Sequence, residues 1–235
     1  MTCLPGFSGQ PANLNPETRL IFSGVKELDG MLGGFPPSAI TLIYGGGGSG
    51  KTFLAVNTTV STASQGFKVV YINSDLKPVV PMLKILSGKD WHLVATNTLV
   101  FEPKTFREQT RAIESLRKIL NPKFKLVVVD TISSLYRLEI SMGADPIAVN
   151  KILNYQLARL LEVALKNRLA VLVTSQIKGG PLEDVSGGKI MFYWSRYVLR
   201  LEKVNREIKV VVVRHPTLPS GVSTRFRVEV KKFEP

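Results

Sequence analysis

The sequence predicts an α/β fold with a mainly parallel central sheet flanked by helices and an antiparallel extension at its C-terminal end. Three observations carry this. Strand-like runs that are apolar throughout, residues 40–44, 68–73, 126–130 and 169–176, alternate with helical segments, and strands with no polar face are those covered by helices on both sides. Between them lie two helical patterns, residues 105–120 with Phe106, Ile113, Leu116 and Leu120 on one face, and a longer one that starts at Asp145-Pro146, a capping acid followed by proline at the first helical position. From Ile177 onward the helical period fades, and three strand-like runs, RYVLRLEKV, REIKVVVVRH and TRFRVEVKKF, finish the chain.

In order along the chain, residues 1–19 carry proline, glycine and asparagine without periodicity and read as an arm, and residues 20–235 as the core. Residues 23–34 predict a short helix with Ser23 as its cap, Val25, Leu28 and Leu32 on one face and Gly33-Gly34 at its end. A helix after residue 50 is expected to stop at Gly66, a short one is expected over 79–86, and a strand near 99–101. The second long helix carries a wide apolar stripe of Val149, Ile152, Leu153, Leu157, Leu160, Leu161, Ala164 and Leu165, expected to face the core.

Composition sets further bounds. With 235 residues, 44% of them hydrophobic, the chain has enough apolar material for one large core. No apolar run approaches the ~20 residues of a membrane span. The N-terminus lacks a secretory signal, and Cys3 is the single cysteine. These features suit a reducing interior and predict a cytoplasmic, chromosome-associated protein with no membrane partner. Lys and Arg outnumber Asp and Glu by 31 to 18, a formal charge of +13, which favours a polyanionic partner.

The stretch ITLIYGGGGSGKT carries the clearest chemistry. An apolar strand breaks into Gly45, Gly46, Gly47, Gly48, Ser49 and Gly50, then Lys51, Thr52 and Phe53 open a helix. The spacing Gly45-x-x-x-x-Gly50-Lys51-Thr52 between strand and helix is that of a phosphate-binding loop. Backbone N–H groups converge on a triphosphate only where side chains leave room. Lys51 supplies an ammonium for the β/γ-phosphates and Thr52 a hydroxyl for Mg²⁺. Asp130 ends the run LVVVD, where a carboxylate beside the loop holds Mg²⁺ through water. Asp75, just past the 68–73 run, is the candidate water-positioning acid. Gln176, at the end of the 169–176 run, is the candidate sensor of the γ-phosphate.

Taken together, Ser23-Gly24-x-Lys26-x-Leu28-Asp29-x-x-Leu32-Gly33-Gly34, the loop, Tyr71-Ile72-Asn73-Ser74-Asp75, Val129-Asp130-Thr131, Val173-Thr174-Ser175-Gln176, Gly187-Gly188 and the Arg214 to Gly221 segment resemble the ATPase core of the RecA/RadA recombinase family. The likeness runs from about residue 20 to the end, and is strongest to short archaeal RadA paralogues, RadB-like proteins without an N-terminal helical domain. It implies a RecA-like P-loop NTPase fold, ATP and Mg²⁺ as cofactors, and slow, DNA-dependent ATP hydrolysis. It also implies single-stranded DNA and a RadA-type recombinase as partners, a role in homologous recombination and DNA repair, and a homo-oligomer.

Several positions depart from the family pattern. Asp75 falls where the family has its catalytic glutamate, one methylene longer, and a withdrawal of about 1 Å is enough to slow a positioned reaction by ~10²-fold. Lys178 and Lys189 are the cations of the loop that faces DNA in recombinases. Arg214 reverses the charge of an aspartate that reaches a neighbour's ATP, making Lys189 or Arg214 a candidate finger across a subunit interface. In the arm, Gly6-Phe7-Ser8-Gly9-Gln10 keeps Phe7 as a candidate interface residue but has Gln10 in the family's alanine slot. Tyr136-Arg137 precede the other DNA-facing loop, roughly 139–144, and Phe192-Tyr193-Trp194 follow the first, so Arg137, Arg196 and these rings are the remaining DNA candidates. Two other readings fit the same residues: a non-hydrolysing module that uses ATP as a link to a recombinase, and a KaiC-like regulatory ATPase.

Overall fold

The computed structural model describes residues 20–176 and 187–228. Eight strands form one sheet in the order β3-β2-β4-β5-β1-β6-β7-β8. They are β1 (Ala39–Gly45), β2 (Lys68–Asn73), β3 (Thr98–Phe101), β4 (Phe124–Asp130), β5 (Ala170–Gln176), β6 (Tyr197–Val204), β7 (Glu207–Arg214) and β8 (Ser223–Arg227). The helices are α1 (Lys26–Leu32), α2 (Lys51–Ala63), α3 (Val79–Ser87), α4 (Trp91–Asn97), α5 (Phe106–Ile119), α6 (Ile132–Ser141), α7 (Pro146–Asn167) and α8 (Gly188–Trp194).

The apolar strands are buried because alternate residues feed two cores. Ile40 and Leu42, Val70 and Ile72, Val127 and Val129, and Val171 and Val173 face α5, α6 and α7. Ile43, Val69, Tyr71, Leu126, Val128 and Leu172 face α1 to α4 on the other side. A one-residue slip in any strand would exchange the two sets, so the pattern fixes register as well as burial.

Helix boundaries follow local chemistry. Thr105 accepts the Glu108 N–H at 3.1 Å while Glu108 accepts the Lys104 N–H at 2.8 Å, starting α5. Asp145 accepts from Ile147 and Ala148 at 3.1 and 3.2 Å, starting α7 as the Asp-Pro pair predicts. Gly33 ends α1 in the left-handed region at φ 74°. Ser23 is not the cap of α1. Its hydroxyl accepts the Val25 N–H, Val25 is the capping residue, and the Asp29 carboxylate reaches back to the Ser23 and Gly24 N–H groups.

The C-terminal end also differs in detail from expectation. β6 pairs in parallel with β1, and the antiparallel pairings are those of β7 with its neighbours β6 and β8. The chain therefore crosses from β5 to the far side of β1, by way of α8, before its hairpins begin. Helices α4, α6 and α8 are short, and none has a polar face long enough to declare it in the sequence.

Candidate nucleotide site

Four strand tips meet at one edge of the sheet. Gly45 ends β1 opposite Gln176 of β5, and Asn73 ends β2 opposite Asp130 of β4. The loop after β1 turns into α2 through Gly48 at φ 70° and Gly50 at φ 94°. Two glycines there have no room for a side chain: a Cβ on Gly45 would lie 2.2 Å from the Leu201 carbonyl oxygen, and one on Gly50 would lie 2.2 Å from Ile208 Cδ1. Strands β6 and β7 thus press the loop into shape. Gln176 lies against it, its Nε2 3.2 Å from where a Gly47 Cβ would stand.

Lys51 is 5% exposed. Its ammonium donates to the carbonyls of Gly45 at 2.9 Å and Gly46 at 2.7 Å and to Ser49 Oγ at 3.1 Å. Burial, with the charge of Lys77 second, lowers its pKa to about 8, against the opposing pull of Asp130 and Asp75. A cavity of about 330 Å³ opens over the loop, lined by residues 48–53 with Lys77, Pro78 and Met82. Two ammonium groups and no carboxylate line it, which suits an anion. Phe53 lines it too, and also borders a neighbouring hollow of about 520 Å³, where it stacks on Phe226 with ring centres 6.2 Å apart.

The acids differ in their surroundings. Asp130 is fully buried and accepts from Tyr71 Oη at 2.8 Å and Thr174 Oγ1 at 2.5 Å. Burial and then the Asp130 charge push the Tyr71 hydroxyl well above the usual tyrosine range, so it remains a donor. With two of about four acceptor positions filled, Asp130 keeps capacity for a water, which fits an outer-sphere hold on Mg²⁺. Asp75 accepts from Lys77 Nζ at 2.8 Å and from Ser134 Oγ. Burial alone would raise its pKa, but the Lys77 and Ser134 hydrogen bonds and the Lys77 and Arg137 charges outweigh burial and hold it below the usual carboxylate value. Thr52 Oγ1 accepts from Lys77 Nζ at 2.9 Å.

Gly45 to Phe53, Asp75, Asp130 and Gln176 therefore share one site. Arg137, expected at a DNA-facing loop, instead donates to the Gln176 carbonyl and acts electrostatically on Lys51 and Asp75. It points inward because residues 132–141 form a helix, placing Arg137 over the strand tips. Tyr136 is fully buried, packs edge-on to Phe106, and donates to Asn150 at 2.7 Å. Arg214 folds back on its own chain, with Nη1 donating to the carbonyls of Phe192 at 2.8 Å and Ser195 at 3.1 Å and the guanidinium 3.6 Å from the centre of the Phe192 ring. Lys189 and Arg196 are exposed at and just beyond α8, with Tyr193 between them 78% exposed. Phe7 and Lys178 lie outside the described residues.

Sequence reasoning missed Lys77, Ser134, Tyr71 and Thr174. The last two carry a signal: a hydroxyl on a strand buried on both faces needs a buried partner. Nothing in the sequence separates Lys77 from the other lysines.

The family model described as Rad51 matches residues 17–231. The chain belongs to the Rad51 family. Among its Rad51-family relatives is a "DNA repair and recombination protein RadB" of Thermococcus gammatolerans, 34% identical over 228 residues that cover 92% of this chain and 98% of that protein. The protein of the same name from Methanococcus maripaludis is 33% identical over 198 residues, covering 83% and 91%. A solved structure described as the RadB recombinase superposes with a TM-score of 0.75 at 32% identity, covering 90% of this chain and 97% of that one. The mostly parallel sheet with antiparallel C-terminal strands is the Rad51/RecA-like fold, and the chain is similar over most of its length to RadB, a short archaeal RadA paralogue. Among the described residues no helix is long and apolar enough to cross a membrane.

Proposed function

We propose that this protein binds ATP, hydrolyses it slowly, and acts on single-stranded DNA in homologous recombination and repair, alongside a RadA-type recombinase. The observation that carries this is the convergence of the Lys51 loop, Asp130, Asp75 and Gln176 on one edge of the sheet. The loop amides and Lys51 would hold the phosphates, and Thr52 with Asp130 are the residues that would hold Mg²⁺, which when bound neutralises phosphate charge, although the Lys77 ammonium on Thr52 Oγ1 contests that place. Asp75 would position the attacking water, and Gln176, anchored through its carbonyl by Arg137, would face the γ-phosphate.

Slow turnover has support in Asp75 itself. It is shorter than the glutamate of the family pattern, and its lowered pKa makes it a weaker base. The same engagement of Asp75 by Lys77 and Ser134 favours a second reading, in which ATP is bound as a structural link without meaningful hydrolysis.

For DNA, the support is charge and exposure. Lys189 and Tyr193 stand four residues apart on α8, hence on one face, with Arg196 just beyond. A cation beside an exposed ring suits a stacked base and its phosphate. Phosphate release, measured with and without single-stranded DNA for wild type, Lys51→Ala and Asp75→Ala, tests the reading. DNA-stimulated release lost in both variants supports hydrolysis. Tight ATP binding with no release supports the structural link.

A further inference from the structure

Lys77 ends a turn that the fold holds firmly. The buried Asn73 side chain accepts the Lys77 N–H at 3.3 Å and donates to its carbonyl at 2.8 Å. Leu76 takes a left-handed φ of 50°, a conformation unusual for a branched residue. The turn delivers the Lys77 ammonium to two oxygens at once, Thr52 Oγ1 at 2.9 Å and Asp75 Oδ2 at 2.8 Å. These belong to the hydroxyl that a phosphate-binding loop offers to its metal and to the acid in the water-positioning place.

We infer that Lys77 is a tethered cation that takes the place of the divalent metal, so that this site binds a nucleoside triphosphate with little dependence on Mg²⁺. The inference rests on the triphosphate reading of the loop. A metal at ~2.1 Å from Thr52 Oγ1 would stand within about 5 Å of an ammonium bound to the same oxygen, and the two like charges repel, so the tethered ammonium competes for the metal's place. Lys77 lines the cavity over the loop together with Lys51, so both side chains border the space that phosphates would fill. Its pair with Asp75 is partly exposed, with side chains 39% and 17% accessible. Exposed pairs of this kind are weak, and a triphosphate with several negative charges draws the ammonium away. Asp75 is then released toward water.

The test is equilibrium titration of a fluorescent ATP into wild type, Lys77→Met, Lys77→Arg and Lys51→Ala, each in EDTA and in excess Mg²⁺. Wild type and Lys77→Arg should change affinity by less than about fivefold between the two conditions, whereas Lys77→Met should bind more than about tenfold tighter with Mg²⁺ than without. A wild-type protein that gains about fivefold or more from Mg²⁺ overturns the inference while leaving the nucleotide site intact. So does a Lys77→Met protein with the small wild-type ratio. Absence of wild-type binding in both conditions would instead remove the triphosphate reading. If Lys77→Met fails to fold, judged by its circular dichroism, the wild-type ratio decides alone.

Discussion

Replacing Gly50 by alanine should expose how far the C-terminal hairpin shapes the phosphate loop. Gly50 has φ 94°, and its added Cβ would stand 2.2 Å from Ile208 Cδ1 and 3.0 Å from Cγ1. The left-handed backbone costs a non-glycine residue about 1–2 kcal/mol, and overpacking adds about 1–3 kcal/mol, so Gly50→Ala should lower stability by about 2–5 kcal/mol. Ile208→Val removes Cδ1, the atom in closest conflict, at a cost of its own of about 0.5–1.5 kcal/mol. In that background Gly50→Ala should cost only about 1–2 kcal/mol, the backbone part. Urea unfolding of the four proteins measures the coupling, with similar m-values required for the comparison. Costs that add within ~0.5 kcal/mol would show that Ile208 does not press on the loop, and would refute the account of how β7 seats it.

Other outcomes follow from the same site. Because the Lys51 pKa is lowered to about 8, ATP affinity should be level below that pH and fall above it as the ammonium is lost, and Lys51→Arg should remove the step in a pH series of titrations. The fold itself should gain stability from about pH 8 up to 10, because there the unfolded chain keeps a proton that the native Lys51 has lost, while above 10 the raised Tyr71 hydroxyl opposes the gain; urea midpoints across that range check the sign. Tyr71→Phe and Thr174→Val each strip a donor from buried Asp130 and should each cost about 1–3 kcal/mol in thermal or urea unfolding. Arg214→Ala removes two bonds to carbonyls and a ring contact within its own chain; it should lower stability by about 1–3 kcal/mol with no change in the oligomeric mass found by light scattering.

Much of the site was legible because its residues sit where patterns end. Gly45, Asp130 and Gln176 close apolar runs, and Asp75 follows one, so periodicity alone put them at strand tips. The caps of α5 and α7 were equally plain, since Thr105-x-x-Glu108 and Asp145-Pro146 act locally. Pairing direction was not legible. The runs of β6, β7 and β8 look alike in sequence, and only the crossover through α8 sets β6 parallel to β1. Side-chain partnership was harder still. Arg137 read as a DNA contact and Arg214 as a finger across an interface because nothing in their neighbours reveals the backbone carbonyls that receive them. Lys77 owes its position to the buried amide of Asn73, which shapes a turn no composition would suggest.

The central claim is that the loop from Gly45 to Thr52 holds a triphosphate through Lys51. Titration of a fluorescent ATP, with Mg²⁺ present, into wild type and Lys51→Ala tests it most directly. A charge-assisted hydrogen bond is worth about 1.5–3 kcal/mol, so the wild type should show saturable binding and the variant should bind roughly 10- to 150-fold more weakly. No wild-type binding, or equal binding by both proteins, would contradict it.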